Sequence, residues 1–138
     1  MIVYLDTSVV LRRFLRQPDA LPDWGDWEQA YASVLLRVEA ARAFDRLRLE
    51  GALDDSQRAE LTKELQLLCD TLYLVGLTED ILTRAAQSFP TVVGTLDALH
   101  LSTALAVLQE TRESPTVLTH DARLAVAAQS QGLTVQGI

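Results

Sequence analysis

Met1-Ile2-Val3-Tyr4-Leu5-Asp6-Thr7-Ser8 is the stretch on which the reading of this chain turns. An apolar run, Ile2 to Leu5, stops at a carboxylate followed by two hydroxyls. A short apolar run bounded by polar residues predicts a fully buried strand of a parallel sheet. In open α/β folds, ligands bind just beyond the carboxyl ends of such strands. Asp6 stands at that point. What matters next is which other residues the chain brings to the same edge.

Working outward, Ser8 is placed to cap a helix running to about Gln17, with Val9, Val10, Phe14 and Leu15 at helical spacing and Pro18 beyond. Asp19–Glu28, with Pro22, Gly25, Trp24 and Trp27, reads as a loop plus a short helix. Residues 30–34 form a short strand candidate, and Ser33 can cap the helix predicted over 35–50, which Gly51 ends. Asp54 or Asp55 starts a further helix through Leu72, and 73–77 reads as a buried strand. Thr78 caps a helix predicted to reach Phe89, with Pro90 after it. Thr95 is read as the cap of an apolar helix over about 96–110. Thr116-Val117-Leu118-Thr119 repeats the first strand's pattern, apolar and then a hydroxyl, with Asp121 close behind. A helix over 122–131 ends at Gly132, and 133–135 is a last short strand. Strands alternate with helices throughout, so the predicted class is α/β with a mainly parallel sheet, in one domain over residues 1–138.

Composition narrows the function. The chain has 138 residues, of which 49% are hydrophobic and 22% charged, enough for a core and too apolar for disorder. Cys69 is the only cysteine, which rules out an internal disulfide and a cysteine-based zinc site and suits a reducing cytoplasm. No stretch has the pattern of a targeting or membrane segment, so no membrane association is expected. The net charge of −7 argues against broad, non-specific nucleic-acid binding, which needs basic surface. A cluster of cation-binding carboxylates would lower the charge without excluding a nucleic-acid enzyme, and a basic partner would suit it.

Two strands end in an acid, at Asp6 and at Asp121. Parallel strands share a direction, so both acids emerge at one edge. Glu39 lies about one turn into the helix after the second strand, and Asp97 lies in the first turn of the helix after Thr95. Both can lean over that edge. Asp97 precedes Ala98-Leu99-His100-Leu101, apolar company for a charge. Buried charges are normally paired or metal-bound. Four gathered carboxylates need a counter-ion or some stay protonated. Mg²⁺ or Mn²⁺ favours oxygen ligands and retains water, which suits phosphodiester hydrolysis.

Each residue also has a plainer reading. Asp6 and Asp121 could cap the helices that follow them. Asp97 could be a first-turn acid favoured by the helix dipole. Glu39 could pair with Arg42 on a solvated face. His100, among leucines, is read as a core residue or one supporting the acids from behind; His120 is not assigned a role in catalysis. Trp24 and Trp27 could stack on bases, but such a pair more often packs a loop onto the core. Arg12, Arg13 and Arg16 read as a solvated helix face.

Asp6-Thr7-Ser8 after an apolar strand, Glu39 in the next long helix, Leu96-Asp97-Ala98-Leu99-His100-Leu101, and Thr119-His120-Asp121-Ala122-Arg123-Leu124 resemble the successive motifs of PIN-domain ribonucleases, in particular VapC-type toxins of prokaryotic toxin–antitoxin pairs. The resemblance spans nearly the whole chain. It implies a PIN-like three-layer α/β/α sandwich and Mg²⁺- or Mn²⁺-dependent cleavage of RNA. Asp6, Glu39, Asp97 and Asp121 would be the catalytic, metal-binding acids, with Ser8 and Thr119 as hydroxyls beside them. It further implies a homodimer and a cognate VapB-type antitoxin. The last motif lacks a second acid close by. Alternatives are a catalytically weak PIN-like module that binds RNA or a partner, and a housekeeping PIN nuclease. An aspartyl phosphatase is disfavoured because Ser8 stands where its second Asp belongs and the only lysine, Lys63, lies mid-helix.

Overall fold

A computed structural model describes residues 1–138 throughout. Five strands form one sheet in the order β3-β2-β1-β4-β5 (β1 Ile2–Leu5, β2 Gln29–Ser33, β3 Tyr73–Val75, β4 Thr116–Leu118, β5 Val135–Gln136). Every pairing is parallel. Helices α1 (Thr7–Phe14), α2 (Leu35–Leu49), α3 (Asp55–Cys69), α4 (Glu79–Ala85), α5 (Thr95–Thr111) and α6 (Ala122–Ser130) flank it. β1 lies in the middle, and its residues Ile2 to Leu5 are all buried.

Side chains alternate along a strand, and β1 uses both directions. Val3 and Leu5 enter one core with Val9 and Val10 of α1, Leu36, Ala40 and Phe44 of α2, and Leu61 and Leu65 of α3. Tyr4 enters the other, with Leu101, Ala104 and Leu105 of α5, Val117, and Leu124 of α6. The result is a three-layer α/β/α sandwich with its sheet entirely parallel. β1 pairs β4 in the register Leu5↔Leu118, and the Asp6 N–H extends that ladder to the Leu118 carbonyl at 3.0 Å. The carboxyl ends of the two central strands are thereby level with each other.

Helix boundaries depart from the sequence reading in instructive places. Ser8 does not cap α1: Asp6 takes the N-cap position and Ser8 lies inside the helix. That helix closes at Phe14, short of Gln17. Arg16 turns left-handed (φ 52°) and the Gln17 N–H returns to the Arg12 carbonyl at 3.0 Å, a Schellman closure. Thr95 is likewise the first residue of α5, with Gly94 as N-cap. The predicted short helix within Asp19–Glu28 is a series of turns. α4 stops at Ala85 rather than Phe89. Pro90 disfavours helical backbone at the residue before it, and Phe89 packs against the second core. The strand after Leu72 stops at Val75, and the last strand lies at 135–136.

Other signals are realised directly. Asp54 and Gln57 form a reciprocal capping box at α3. Thr78 accepts the Ile81 N–H, whereas Val34 takes the N-cap of α2 and Ser33, one residue earlier, accepts the Leu35 N–H at 3.2 Å. Gly51 and Gly132 take the left-handed positions that end α2 and α6.

Phe44 is 1% exposed and fills the space between α2, α3 and the sheet. Phe44→Ala is expected to cost about 3–5 kcal/mol in urea unfolding. Asp54→Ala should cost only about 1 kcal/mol, because it removes a cap and leaves packing untouched.

Candidate functional site

Asp6 stands at the carboxyl end of β1, and its side chain leaves the helix it precedes uncapped. Two hydroxyls hold one of its oxygens: Thr119 Oγ1 donates to Oδ2 at 2.8 Å and Ser8 Oγ at 2.5 Å. The same two hydroxyls receive backbone amides, His120 N–H on Ser8 Oγ (2.9 Å) and Asp121 N–H on Thr119 Oγ1 (2.9 Å). The ends of β1 and β4 are thus stitched together through Asp6. Its other oxygen, Oδ1, has only His100 Nε2 nearby, at 3.7 Å.

Glu39 lies one turn into α2 and turns away from Arg42, which pairs with Asp45 instead. Its Oε1 receives Thr7 Oγ1 at 2.9 Å and His100 Nε2 at 2.6 Å. Asp121 does cap α6: Oδ1 accepts the amides of Arg123 (2.8 Å) and Leu124 (3.2 Å). Asp97, in the first turn of α5, has neither a hydrogen-bond donor nor an ion-pair partner. In Asp6, Glu39 and Asp121, then, one oxygen is tied down and the other is left over. Asp97 leaves both.

The electrostatics follow from that crowding. Burial, then Asp121, Asp6 and Glu39, raise the pKa of Asp97, against a smaller pull from His100. Burial alone would raise Glu39, but the hydrogen bond and charge of His100 and the Thr7 hydroxyl outweigh it and lower its pKa. His100 is pulled down by burial and up, more strongly, by Glu39, Asp6 and Asp97. Burial and the Asp6 charge hold the Tyr4 phenol well above its usual range, so it keeps its proton.

All six residues singled out from the sequence, Asp6, Ser8, Glu39, Asp97, Thr119 and Asp121, belong to this edge. Thr7, a donor to Glu39, and Tyr4, a hydrogen-bond partner of His100, join them without having been assigned from the sequence. Thr7 follows Asp6 directly, and Tyr4 follows from strand alternation, so both were within reach of the pattern. His120 holds the Gly137 carbonyl through Nδ1 at 2.5 Å. Trp24 and Trp27 meet edge-to-face at 5.3 Å and pack on the first core, with Arg13 lying over Trp24.

The donor set is made of oxygens with unbalanced negative charge, the chemistry that hard divalent cations require. No three of the chain's acidic, histidine or cysteine side chains converge closely enough to hold an ion unaided. A hard divalent cation would fit such a set only with water completing its shell, since such ions can keep several waters and take one or two carboxylates directly.

Comparison with known proteins bears on the family and the fold. The PIN domain family model matches residues 3–130. Ribonuclease VapC47 of Mycobacterium tuberculosis is 30% identical, over 95% of this chain and 93% of that protein. Among solved structures, FitAcB from Neisseria gonorrhoeae superposes with a TM-score of 0.69 at 19% identity, covering 98% of this chain and 96% of that one. VapBC2 from Rickettsia felis, bound to a DNA fragment from its promoter, gives 0.66 at 13% identity, covering 99% and 98%. The sheet order, the acidic edge and these matches lead to one conclusion: the chain belongs to the PIN domain family, in its VapC-type branch.

Proposed function

We propose that this chain is a ribonuclease that hydrolyses RNA phosphodiester bonds with Mg²⁺ or Mn²⁺, and that it is the toxin of a toxin–antitoxin pair. One observation carries the reading: Asp6, Glu39 and Asp121 each spend one oxygen on the protein and keep one free, beside an Asp97 whose pKa its acidic neighbours and burial raise. Acids serving only as caps or salt bridges would spend their charge within the fold. The relative of 30% identity that bears the name ribonuclease supports the substrate class.

Asp6, Glu39, Asp97 and Asp121 would hold the cation, directly or through water. Bound there, it supplies charge neutralisation at the phosphate and lowers the pKa of water. Ser8 and Thr119 keep Asp6 from rotating, and Thr7 does the same for Glu39. The reaction is in-line hydrolysis: a water oxygen bonds to phosphorus as the bond to O3′ breaks, leaving 5′-phosphate and 3′-hydroxyl ends. An antitoxin that silences the site would set a basic side chain among the acids. Structural relatives solved as VapBC and toxin–antitoxin complexes support that partner, and a homodimer is part of the same proposal.

Asp6→Asn is expected to reduce Mn²⁺-dependent cleavage of an RNA substrate by at least about 10²-fold, the scale of losing a charge-stabilising group. Its circular dichroism should match wild type; undiminished cleavage by the folded variant would overturn the assignment.

Asp97→Asn separates charge from fold. The folded pKa of Asp97 lies above its unfolded value, so its ionised form destabilises the protein at neutral pH. Without divalent cations, the variant should therefore unfold at a higher temperature than wild type at pH 7. The gap should shrink as pH falls through the raised value and vanish below the ordinary Asp range of about 3.9. Added Mn²⁺ should stabilise wild type more than the variant. Differential scanning calorimetry at both pH values reads each effect.

A further inference from the structure

Tyr4, His100 and Glu39 are far apart in sequence yet form one line of hydrogen bonds. The Tyr4 hydroxyl meets His100 Nδ1 at 2.7 Å across 96 residues, and His100 Nε2 meets Glu39 Oε1 at 2.6 Å across 61. We propose that His100, backed by Tyr4, is a positioning residue that fixes the Glu39 carboxylate for cation binding; this rests on the metal-nuclease reading above.

His100 is 1% exposed and Tyr4 is fully buried, so neither can touch RNA. Any effect they have on the site passes through its carboxylates, of which Glu39 is the one His100 hydrogen-bonds, at 2.6 Å against 3.7 Å to Asp6. An ionised Glu39 only accepts hydrogen bonds, so Nε2 carries a hydrogen whatever the state of Nδ1. Thr7 and His100 both donate to the same oxygen, Oε1. With one oxygen pinned from two directions, the position of Oε2 is set as well, although a glutamate has three free torsions.

The partner on Nδ1 completes the device. An imidazole held at one nitrogen can still rotate about that bond, and the Tyr4 hydroxyl, on an edge-to-face ring with centroids 6.0 Å apart, removes this freedom. Tyr4 also belongs to the strand that ends in Asp6. β1 therefore fixes Asp6 through its own backbone and Glu39 through Tyr4 and His100. One strand sets the spacing between two of the cation's ligands, although the second sits on a different element. Outer partners of this kind are worth about 10–100-fold in metal affinity or activity.

The test measures Mn²⁺ binding to the full chain by isothermal titration calorimetry without RNA, thermal unfolding, and kcat and KM for RNA cleavage. His100→Leu should weaken Mn²⁺ binding and lower kcat about 10–100-fold, with KM for RNA little changed. His100→Gln, whose side-chain amide can donate where Nε2 does, should recover most of both. Tyr4→Phe, which removes one hydroxyl, should fall between, and it carries the test if His100→Leu does not fold. Wild-type Mn²⁺ affinity and kcat in folded His100→Leu, or in Tyr4→Phe where the former is unfolded, overturn the proposal. Equal losses in His100→Leu and His100→Gln mark a packing role and overturn it too. The underlying reading fails separately: Glu39→Gln that binds Mn²⁺ and cleaves RNA like wild type removes Glu39 from the site, and the relay falls with it.

Discussion

Like charges repel, and this fold gathers four carboxylates at one edge of its sheet. The arrangement holds because the acids are not free to move apart. Asp6 is clamped by Ser8 and Thr119, Glu39 by Thr7 and His100, and Asp121 by two backbone amides. Each clamp is a hydrogen bond to an ionised group, the stronger kind. Asp97 alone lacks one, and the mutual repulsion shows most plainly there. The fold therefore carries a stored electrostatic cost at the place where a cation would relieve it, the usual relation between stability and a working site.

What resists that repulsion is β1. It is buried on both faces and paired on both sides, with β2 and β4. Val3 and Leu5 anchor it to the α1–α3 layer, and Tyr4 to the layer containing α5 and α6. A shift of one residue in its register would exchange those faces, placing a phenol where Phe44 and Leu36 pack. The same alternation that builds two cores aims Tyr4 at His100 and leaves Asp6 at the strand's end. Packing and site geometry are consequences of one four-residue segment.

Much of this was legible in the residues. Asp6 and Asp121 follow apolar strands, and the direction rule for parallel sheets places both at one edge without further information. Asp97 was conspicuous as a charge in apolar company. Glu39 was harder, because Arg42 stood at helical spacing and offered it a partner. Which face of α2 turns inward depends on packing against α1 and α3, and in the structure Arg42 goes to Asp45. The caps failed for a related reason. Ser8 and Thr95 are good capping residues by type, but Ser8 belongs to the site and Thr95 lies one residue inside its helix. Ser8 is spent on Asp6, and Gly94 enters α5 in place of Thr95. The extent of α4 was lost because Phe89 has the right spacing for a helix and is drawn instead into the second core. His100 as the link between Tyr4 and Glu39 requires three elements placed at once, which no local pattern encodes.

The bond from Thr119 to Asp6 spans 113 residues. On the ribosome Asp6 emerges early and Thr119 late. Until β4 settles between β1 and β5, Asp6 lacks both its sheet neighbour and the hydroxyl that orients it. A stalled or truncated translation product thus carries several of the acids without their arrangement. The acidic edge is assembled only once β4 lies beside β1, so the topology itself times when that edge comes into being.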